Sequence, residues 1–215
     1  MEESRHIAGK VTFIESSKDA EQLIVRIARV SNEKNATNWS TGPKLLRFMM
    51  KEGHWSPFEM ANFTVRIETT RDVSQQILRH RQFHFQEFSQ RYAKVPRAEV
   101  PGLRRQGATN RQSSTDDLPE EIRNKYENKI SELFEQTYDL YEEMLSKDIA
   151  RETARRILPI CSPTVIFMSG VARDWIHYIR TRTKPDVQQE HAEIARQIRD
   201  IFKVMYPIIS DAAEL

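Results

Sequence analysis

A single stretch, residues 79–92 with the sequence RHRQFHFQEFSQRY, constrains the fold of this chain more than any other. It places three arginines, two histidines and one glutamate among four aromatic rings. A solvent-facing helix would collect its charges on one side and its aromatic rings on the other, whereas here the two kinds alternate. The mixture is typical of a pocket wall that holds a flat anionic ligand, or of a loop that binds single-stranded nucleic acid. These residues alone leave both interpretations open.

The charge balance indicates that any anion site is local. The chain of 215 residues carries 33 lysines and arginines against 31 acidic residues, and the net charge of +2 gives no overall field that would draw it onto nucleic acid. Its 39% of apolar residues are enough for a sizeable core. The single cysteine, Cys161, excludes an intramolecular disulfide framework and favours a reducing compartment, so we expect a cytoplasmic location.

Two further patterns lead us to expect neither a membrane span nor a metal site. The N-terminal sequence MEESRHIAGK lacks an apolar signal core, and no run of about 18 apolar residues occurs that could cross a bilayer. With one cysteine, the chain also has none of the paired cysteine spacings that are typical of zinc sites.

The alternation of side chains predicts two strands. Residues 10–16 form the first, although Ile14 breaks its alternation. Residues 60–69 form the second, a half-buried strand with apolar side chains on one side and polar side chains on the other. The turn before this second strand contains Gly53 and Pro57, and it leaves His54 on a loop.

Apolar residues at helical spacing predict helices over most of the remaining chain. The predicted helices span residues 19–32, 45–52, 70–83, 117–146, 148–158, 163–182 and 186–206. Asp19 is the expected N-cap of the first, a capping box at residues 117–120 begins the fourth, and Ser162-Pro163 begins the sixth. His191 lies on the inner side of the last helix, so we interpret it as a satisfied core residue rather than a ligand.

The helix after Thr70 presents part of the central stretch. Gln76, Arg79 and His80 stand three and four residues apart, so they can converge on one ligand from one helix face. Beyond Phe83 we expect a loop that folds back and brings Ser89 and Arg91 near Arg79. Residues 94–117 follow as a mobile surface excursion, because they are rich in proline, glycine and serine and poor in large apolar side chains.

At this point the central stretch resembles a known signature. Arg79-His80-Arg81, seven residues and then Ser89-Gln90-Arg91 are similar to the motif of flavin-dependent thymidylate synthases, the ThyX family. Other segments agree in order and distance: residues 28–31, 54–59, 155–159 and 173–182. The chain departs from the common pattern at His84, Gln86, Met60, Val171 and His177.

The resemblance implies a fold and an activity. We expect one domain over residues 1–215 with an α+β fold, in which a small mostly antiparallel sheet packs with helices and the C-terminal half is helical. The implied enzyme converts dUMP to dTMP by reductive methylation, with 5,10-methylenetetrahydrofolate as carbon donor and FAD, reduced by NADPH, as hydride donor. The resemblance also implies a homotetramer with sites between subunits. We expect neither a membrane nor a nucleic-acid partner. A nucleic-acid-binding module and a flavoprotein without methylation activity are the alternatives.

The resemblance also implies roles for individual residues. The dUMP-binding positions are Gln76, Arg79, Glu87, Ser89, Gln90, Arg91, Arg155 and Arg182. The FAD-binding positions are Ser31, Ser56, Arg79, His80, Arg81, Glu87, Arg173 and His177. Arg182 and His54 are the implied catalytic residues, the first as a cation beside the uracil ring and the second for proton transfer. Because no GxGxxG turn occurs, the flavin is not expected to bind as in a Rossmann fold.

Cys161 is the remaining candidate for chemistry, because some thymidylate synthases attack uracil with an activated cysteine. Its sequence neighbours are Ile160 and Ser162-Pro163, which offer no activating pair. We therefore predict that Cys161 is dispensable, and that Ser89 binds ligand rather than acting as a nucleophile.

Overall fold

The computed structural model describes residues 9–215, and its regular elements are α-helices and antiparallel strands. The strands are β1 Lys10–Ser16, β2 Asn62–Thr70, β3 His84–Glu87, β4 Arg105–Gln106, β5 Ser114–Thr115 and β6 Pro163–Val171. The helices are α1 Ala20–Ala28, α2 Gly42–Lys51, α3 Arg71–Ile77, α4 Glu120–Ser146, α5 Arg151–Ala154, α6 Ala172–Arg182, α7 Gln189–Met205 and α8 Pro207–Ala212. The predicted α+β class is confirmed.

A sheet in the order β1-β2-β6-β3 forms the centre of the fold, and each neighbouring pair is antiparallel. The predicted strand at residues 60–69 is β2, in which Phe63, Val65 and Ile67 are buried and the residues between them are half-buried. Strand β1 shifts its pairing register between Phe13 and Glu15. This shift lies at Ile14, where the sequence alternation breaks.

The core lies between this sheet and the C-terminal helices. Trp175 of α6 is fully buried, and its indole N–H donates to the carbonyl oxygen of Phe63 at 2.9 Å. The Phe63 ring also lies edge-on to the rings of Phe202 and Tyr206, with centroids 5.6 and 6.1 Å away. These contacts fix α6 and α7 against β2 and so position the side chains that α6 presents.

The prediction of one helix over residues 163–182 is wrong in its first half. Residues 163–171 form β6, which pairs with β2 from Thr70↔Pro163 to Asn62↔Val171 and with β3 on its other side. Thr164, Ile166 and Met168 are buried while their neighbours are more exposed, which is the period of a strand. An apolar run fits helical and strand templates alike, and here the hydrogen bonds of two neighbouring strands decide for the strand.

The prediction of a loop between Phe83 and Tyr92 is also wrong in part. Residues 84–87 form the edge strand β3, paired from His84↔Ser169 to Glu87↔Ile166. The strand comes close to β6 where Gly170 leaves room for the Phe83 ring, since a Cβ at Gly170 would lie 2.4 Å from Phe83 Cδ1. The alternation of Phe with His and Gln in this segment is therefore a strand pattern.

Helix α4 confirms the predicted helix up to Ser146, but its beginning differs from the prediction. Pro119 occupies the N-cap position in place of Asp117, whose carboxylate accepts from Thr115 Oγ1 at 2.5 Å. The excursion at residues 94–117 packs against this helix at its start, where the backbone N–H of buried Val95 donates to Tyr141 Oη at 3.2 Å. Within residues 9–215, no helix combines the length and the apolar character needed to cross a bilayer.

Candidate active site

The central stretch begins in a turn beyond α3. This helix ends at Ile77, so of the predicted trio Gln76 alone lies on the helix, and the prediction that all three share one helix face is wrong. The His80 backbone N–H donates to the Ile77 carbonyl at 3.0 Å, which closes the turn. The turn places the two side chains in different environments, because Arg79 is exposed while His80 is buried.

His80 contacts the end of α6. Arg182 Nε donates to His80 Nε2 at 2.8 Å, although the two residues are 102 positions apart. The His80 ring lies edge-on to Tyr178, with centroids 4.9 Å apart. Burial, then the nearby Arg182 and His177, lower the pKa of His80 to about 4. The imidazole is therefore neutral at physiological pH and can accept the arginine hydrogen bond.

A second buried histidine supports the same place from α7. His191 is fully buried, its Nε2 lies 3.0 Å from Tyr178 Oη, and its Nδ1 lies 3.4 Å from Gln76 Oε1. Gln76 Nε2 in turn donates to Gln188 Oε1 at 2.5 Å. Burial, then Arg182 and His80, lower the pKa of His191 to about 3. The interpretation of His191 as a satisfied core residue is confirmed, and it also fixes the Gln76 side chain.

Glu87 lies on β3, and its carboxylate is bound by this chain's own side chains. Arg71 Nη1 and Ser74 Oγ donate to it at 2.5 and 2.7 Å, and Thr164 Oγ1 donates at 3.0 Å. Its side chain is 16% exposed. These contacts join α3, β3 and β6, and a ligand contact at Glu87 stays a prediction.

Three of the implied flavin residues, Ser56, Arg173 and His177, line a groove around Trp55, which we call the Trp55 groove. It comprises two adjoining cavities of about 460 and 600 Å³ that share Trp55 and Arg173. Other lining residues are Gln82, Asp174, Ile176, His177 and Arg180 in the first, and Ala28, Met49, Gly53, His54, Ser56, Pro57 and Glu59 in the second. The structure therefore brings four predicted residues together: His54, Ser56, Arg173 and His177.

Charges in the Trp55 groove are partly compensated within the chain. Arg173 Nη1 forms an ion pair with Glu59 Oε1, and both side chains are about half exposed. Burial, opposed by Arg173 and reinforced by Glu59, raises the pKa of Asp174. Arg180 donates from Nε and Nη2 to the Ala213 carbonyl at 3.0 and 2.6 Å. A ligand anion can therefore replace Glu59 as the partner of Arg173.

A further cavity, of about 440 Å³, lies at the end of the central stretch. Ser89, Arg91 and Tyr92 line it together with Arg151 and Glu152 of α5. Arg91 Nη2 lies 3.0 Å from Glu152 Oε2. Arg155 follows on the 3₁₀ turn after α5. Gln90, which lies between Ser89 and Arg91 in the sequence, is buried. The expected approach of Ser89 and Arg91 to Arg79 stays a prediction.

The remaining predicted residues lie on the surface. Ser31 follows α1 and is exposed, as is Arg81 in the turn before β3. The predicted site residues of one chain thus occupy several places: the Trp55 groove, the His80–Arg182 pair and the Ser89–Arg91 cavity. Sequence reasoning missed Trp55, Gln82, Asp174 and Arg151 as lining residues. The sequence offered one signal for Trp55, Gln82 and Asp174, because each is next to a predicted site residue in the chain.

Cys161 shows the properties of an unreactive thiol. It is half-buried in the turn before β6. Burial, then the Asp72 carboxylate, raise the pKa of the thiol, so the thiolate that would act as a nucleophile is disfavoured.

Comparisons with known proteins agree along most of the chain. The family model described as thymidylate synthase complementing protein, Thy1, matches residues 12–208. A probable flavin-dependent thymidylate synthase of Paramecium bursaria Chlorella virus 1 is 44% identical over 202 residues, which cover 94% of each chain. A flavin-dependent thymidylate synthase of Synechocystis sp. is 45% identical over 196 residues, covering 90% of this chain and 89% of that protein.

A solved structure extends this agreement to three dimensions. The UMP/dUMP methylase PolB of Streptomyces cacaoi, bound to 5-Br dUMP, superposes with a TM-score of 0.83 at 26% identity, covering 95% of this chain and 93% of that one. The resemblance that the central stretch indicated is confirmed. The chain belongs to the Thy1 family of thymidylate synthase complementing proteins, the family of the flavin-dependent thymidylate synthases.

Proposed function

We propose that this protein is a flavin-dependent thymidylate synthase that converts dUMP and 5,10-methylenetetrahydrofolate to dTMP and tetrahydrofolate. The observation that carries the proposal is the shared lining of the Trp55 groove, where Gln82 of the central stretch meets Arg173 and His177 of α6. The names of the relatives and the dUMP analogue bound by the structural neighbour support the same reaction. We place the reaction in the cytoplasm.

The donor set of the Trp55 groove fits FAD. Arg173 and His177 offer N–H donors that suit a pyrophosphate, and exposed His54 and Ser56 offer further polar contacts. The Trp55 ring adds a flat apolar surface of the kind that aromatic cofactors contact. When bound and reduced by NADPH, FAD supplies the hydride for the reaction. His54, an exposed imidazole on this groove, is the side chain we assign to proton transfer.

The nucleotide requires cations of the arginine type. A nucleotide monophosphate is a dianion whose oxygens accept two parallel N–H bonds from one guanidinium. Arg91 with Ser89 at the 440 Å³ cavity, Arg155 on the turn after α5 and exposed Arg79 offer such donors. Gln76 would contact the base. Arg182 would stabilise the negative charge that develops on the uracil ring, a role worth about 10²–10³ in rate for a preorganised donor.

We propose a homotetramer in which subunits complete each other's sites. This arrangement accounts for the separate places that the predicted residues occupy within one chain. Helix α4 supports it with exposed Tyr126, Leu133 and Leu140, a set of large side chains that a stable subunit contact would cover. Light scattering of the purified protein should give about four times the 25.3 kDa chain mass. A monomer at assay concentration would contradict the shared-site arrangement.

The decisive test is dTMP formation from dUMP, methylenetetrahydrofolate and NADPH, with and without added FAD. We expect dTMP that depends on FAD, and UMP in place of dUMP would measure selectivity for the deoxyribose. Oxidation of NADPH without dTMP would indicate a flavoprotein that lacks the methylation step. If neither reaction occurs and the protein binds oligonucleotides in a salt-dependent manner, the nucleic-acid interpretation of residues 79–92 would replace this one.

A further inference from the structure

We infer that His80 is a positioning residue for Arg182: its imidazole fixes the direction in which the guanidinium points. The inference rests on the proposed function for the importance of Arg182, but the contact itself does not. The resemblance assigns His80 to the flavin, and the geometry points to a different task for this side chain.

One ring nitrogen of His80 is occupied by the bond to Arg182. Arg182 Nε donates to His80 Nε2 at 2.8 Å, so this nitrogen acts as an acceptor. A neutral imidazole that accepts at Nε2 carries its proton on Nδ1. Burial and the arginine itself hold the pKa of His80 at about 4, which keeps the accepting form populated at neutral pH. One ring nitrogen of His80 is therefore committed to Arg182.

Arg182 needs a contact that holds its long side chain in place. Arg182 is the last residue of α6, so no further turn of this helix follows its side chain. An arginine loses much conformational freedom when it is held in one geometry, so a preformed contact reduces that cost for the reaction. The bond to His80 uses Nε and leaves the Nη1 and Nη2 groups for a substrate oxygen.

His80 is itself held rigidly by its neighbours. Its ring lies edge-on to Tyr178 at 4.9 Å and to His191 at 6.3 Å, and Phe83 lies 6.5 Å away. Tyr178 is held by its 3.0 Å contact with His191, which also contacts Gln76. His80 is thus fixed from α6 and α7, and the same buried group positions Gln76. This buried group therefore supports both Arg182 and Gln76, the two side chains that the proposed function places near the base.

Two substitutions of His80 separate positioning from other roles. His80→Gln can place an amide oxygen near the position of Nε2, whereas the shorter side chain of His80→Asn reaches the position of Nδ1. We expect His80→Asn to lower kcat about tenfold to 10²-fold, as a small misplacement of a catalytic group does, and His80→Gln to retain most of the activity. FAD affinity, measured by flavin fluorescence, should change less than about twofold in both variants. Equal loss in the two variants, or a large loss of FAD affinity, would overturn the inference.

A double-mutant cycle with Arg182→Ala gives the second readout. If His80 acts through Arg182, then His80→Asn should have little further effect on kcat once Arg182 is alanine. Losses that multiply would show that His80 acts independently of Arg182.

A third readout does not depend on activity. In protein labelled with ¹⁵N-histidine, NMR of His80 should show an unprotonated Nε2 and a protonated Nδ1, and this tautomer preference should weaken in Arg182→Ala. A protonated Nε2 in the parent protein would overturn the inference whatever the enzyme catalyses. If the parent protein forms no dTMP while this tautomer is observed, the proposed function fails and the positioning contact stands.

Discussion

Helix α6 contributes to two regions that differ in how complete they are. The His80–Arg182 pair packs against buried Tyr178 and His191, and its hydrogen bonds are made within the chain. In the Trp55 groove, by contrast, Arg173 and His177 are exposed. The comparison teaches that this chain holds the Arg182 guanidinium in place through its own contacts, while it leaves the cations of the groove open to solvent. The predictions below test each side of this difference, from the largest effect to the smallest.

The largest effect should come from the prearranged side. We predict that Arg182→Ala lowers kcat for dTMP formation about 10²–10³-fold, because a preorganised charge-stabilising donor is lost, while the KM for dUMP changes less. Steady-state kinetics with saturating FAD measure both. Arg199→Ala, at a cation paired with Asp200 on α7, is the matched control and should behave as the parent protein. Near-normal turnover of Arg182→Ala would remove the distinction between the two regions.

A smaller effect on binding should come from the open groove. Arg173→Gln removes a cation, and we predict a loss of FAD affinity of about tenfold, the size of one charge-assisted hydrogen bond. Glu59→Gln removes the partner that competes with a ligand for Arg173, so FAD affinity should be unchanged or higher. Flavin fluorescence titration measures both variants. Similar losses in the two would mean that the ion pair itself shapes the groove.

The buried side should also make the protein sensitive to acid. His80 and His191 have pKa values of about 4 and about 3 in the fold against 6.5 when unfolded. The unfolded chain therefore binds more protons, and the contribution of these groups to stability is complete above pH 6.5 and declines as the pH falls towards 4. Thermal unfolding from pH 7.5 to 4.5 measures this decline. His191→Phe should flatten it, while costing about 1–3 kcal/mol at neutral pH because Tyr178 loses its partner.

The smallest effect should lie outside both regions. We predict that Cys161→Ala keeps the kcat of the parent protein, because the pKa of the thiol is raised and a nucleophilic role is disfavoured. Resistance of the parent enzyme to iodoacetamide during the dTMP assay provides an independent check. Loss of all activity in a folded Cys161→Ala variant would require a covalent step that neither region contains.

Two neighbouring strands show how far the sequence could predict this fold. β2 was predictable because its polar Thr64 and Arg66 alternate with buried Phe63 and Val65. β6 lies between β2 and β3, and its run of Val165, Ile166, Phe167 and Met168 carries no polar alternation that would separate a strand from a helix. Residues 163–171 form a strand because they pair with β2 and β3, which are distant along the chain.

The candidate site was predictable to a similar degree. The residue types of the central stretch alone left a pocket for a flat anion and a nucleic-acid loop both open, and the resemblance of its motif to the ThyX family decided between them. The bond between His80 and Arg182 could not be predicted, because it joins residues 102 positions apart through the packing of α6 and β3 on β6. The buried state of His80 and the ion pair of Arg173 with Glu59 depend on the same packing.

The contact between Phe83 and Gly170 limits which substitutions these two positions can accept during evolution. Any side chain at position 170 would collide with the Phe83 ring, since a Cβ there lies 2.4 Å from Phe83 Cδ1. A shorter residue at position 83 would instead leave a void beside Trp175, whose ring lies 4.6 Å from that of Phe83. A larger residue at position 170 therefore requires a smaller one at position 83, so that a phenylalanine of the central stretch and a glycine in a distant strand restrict each other's substitution.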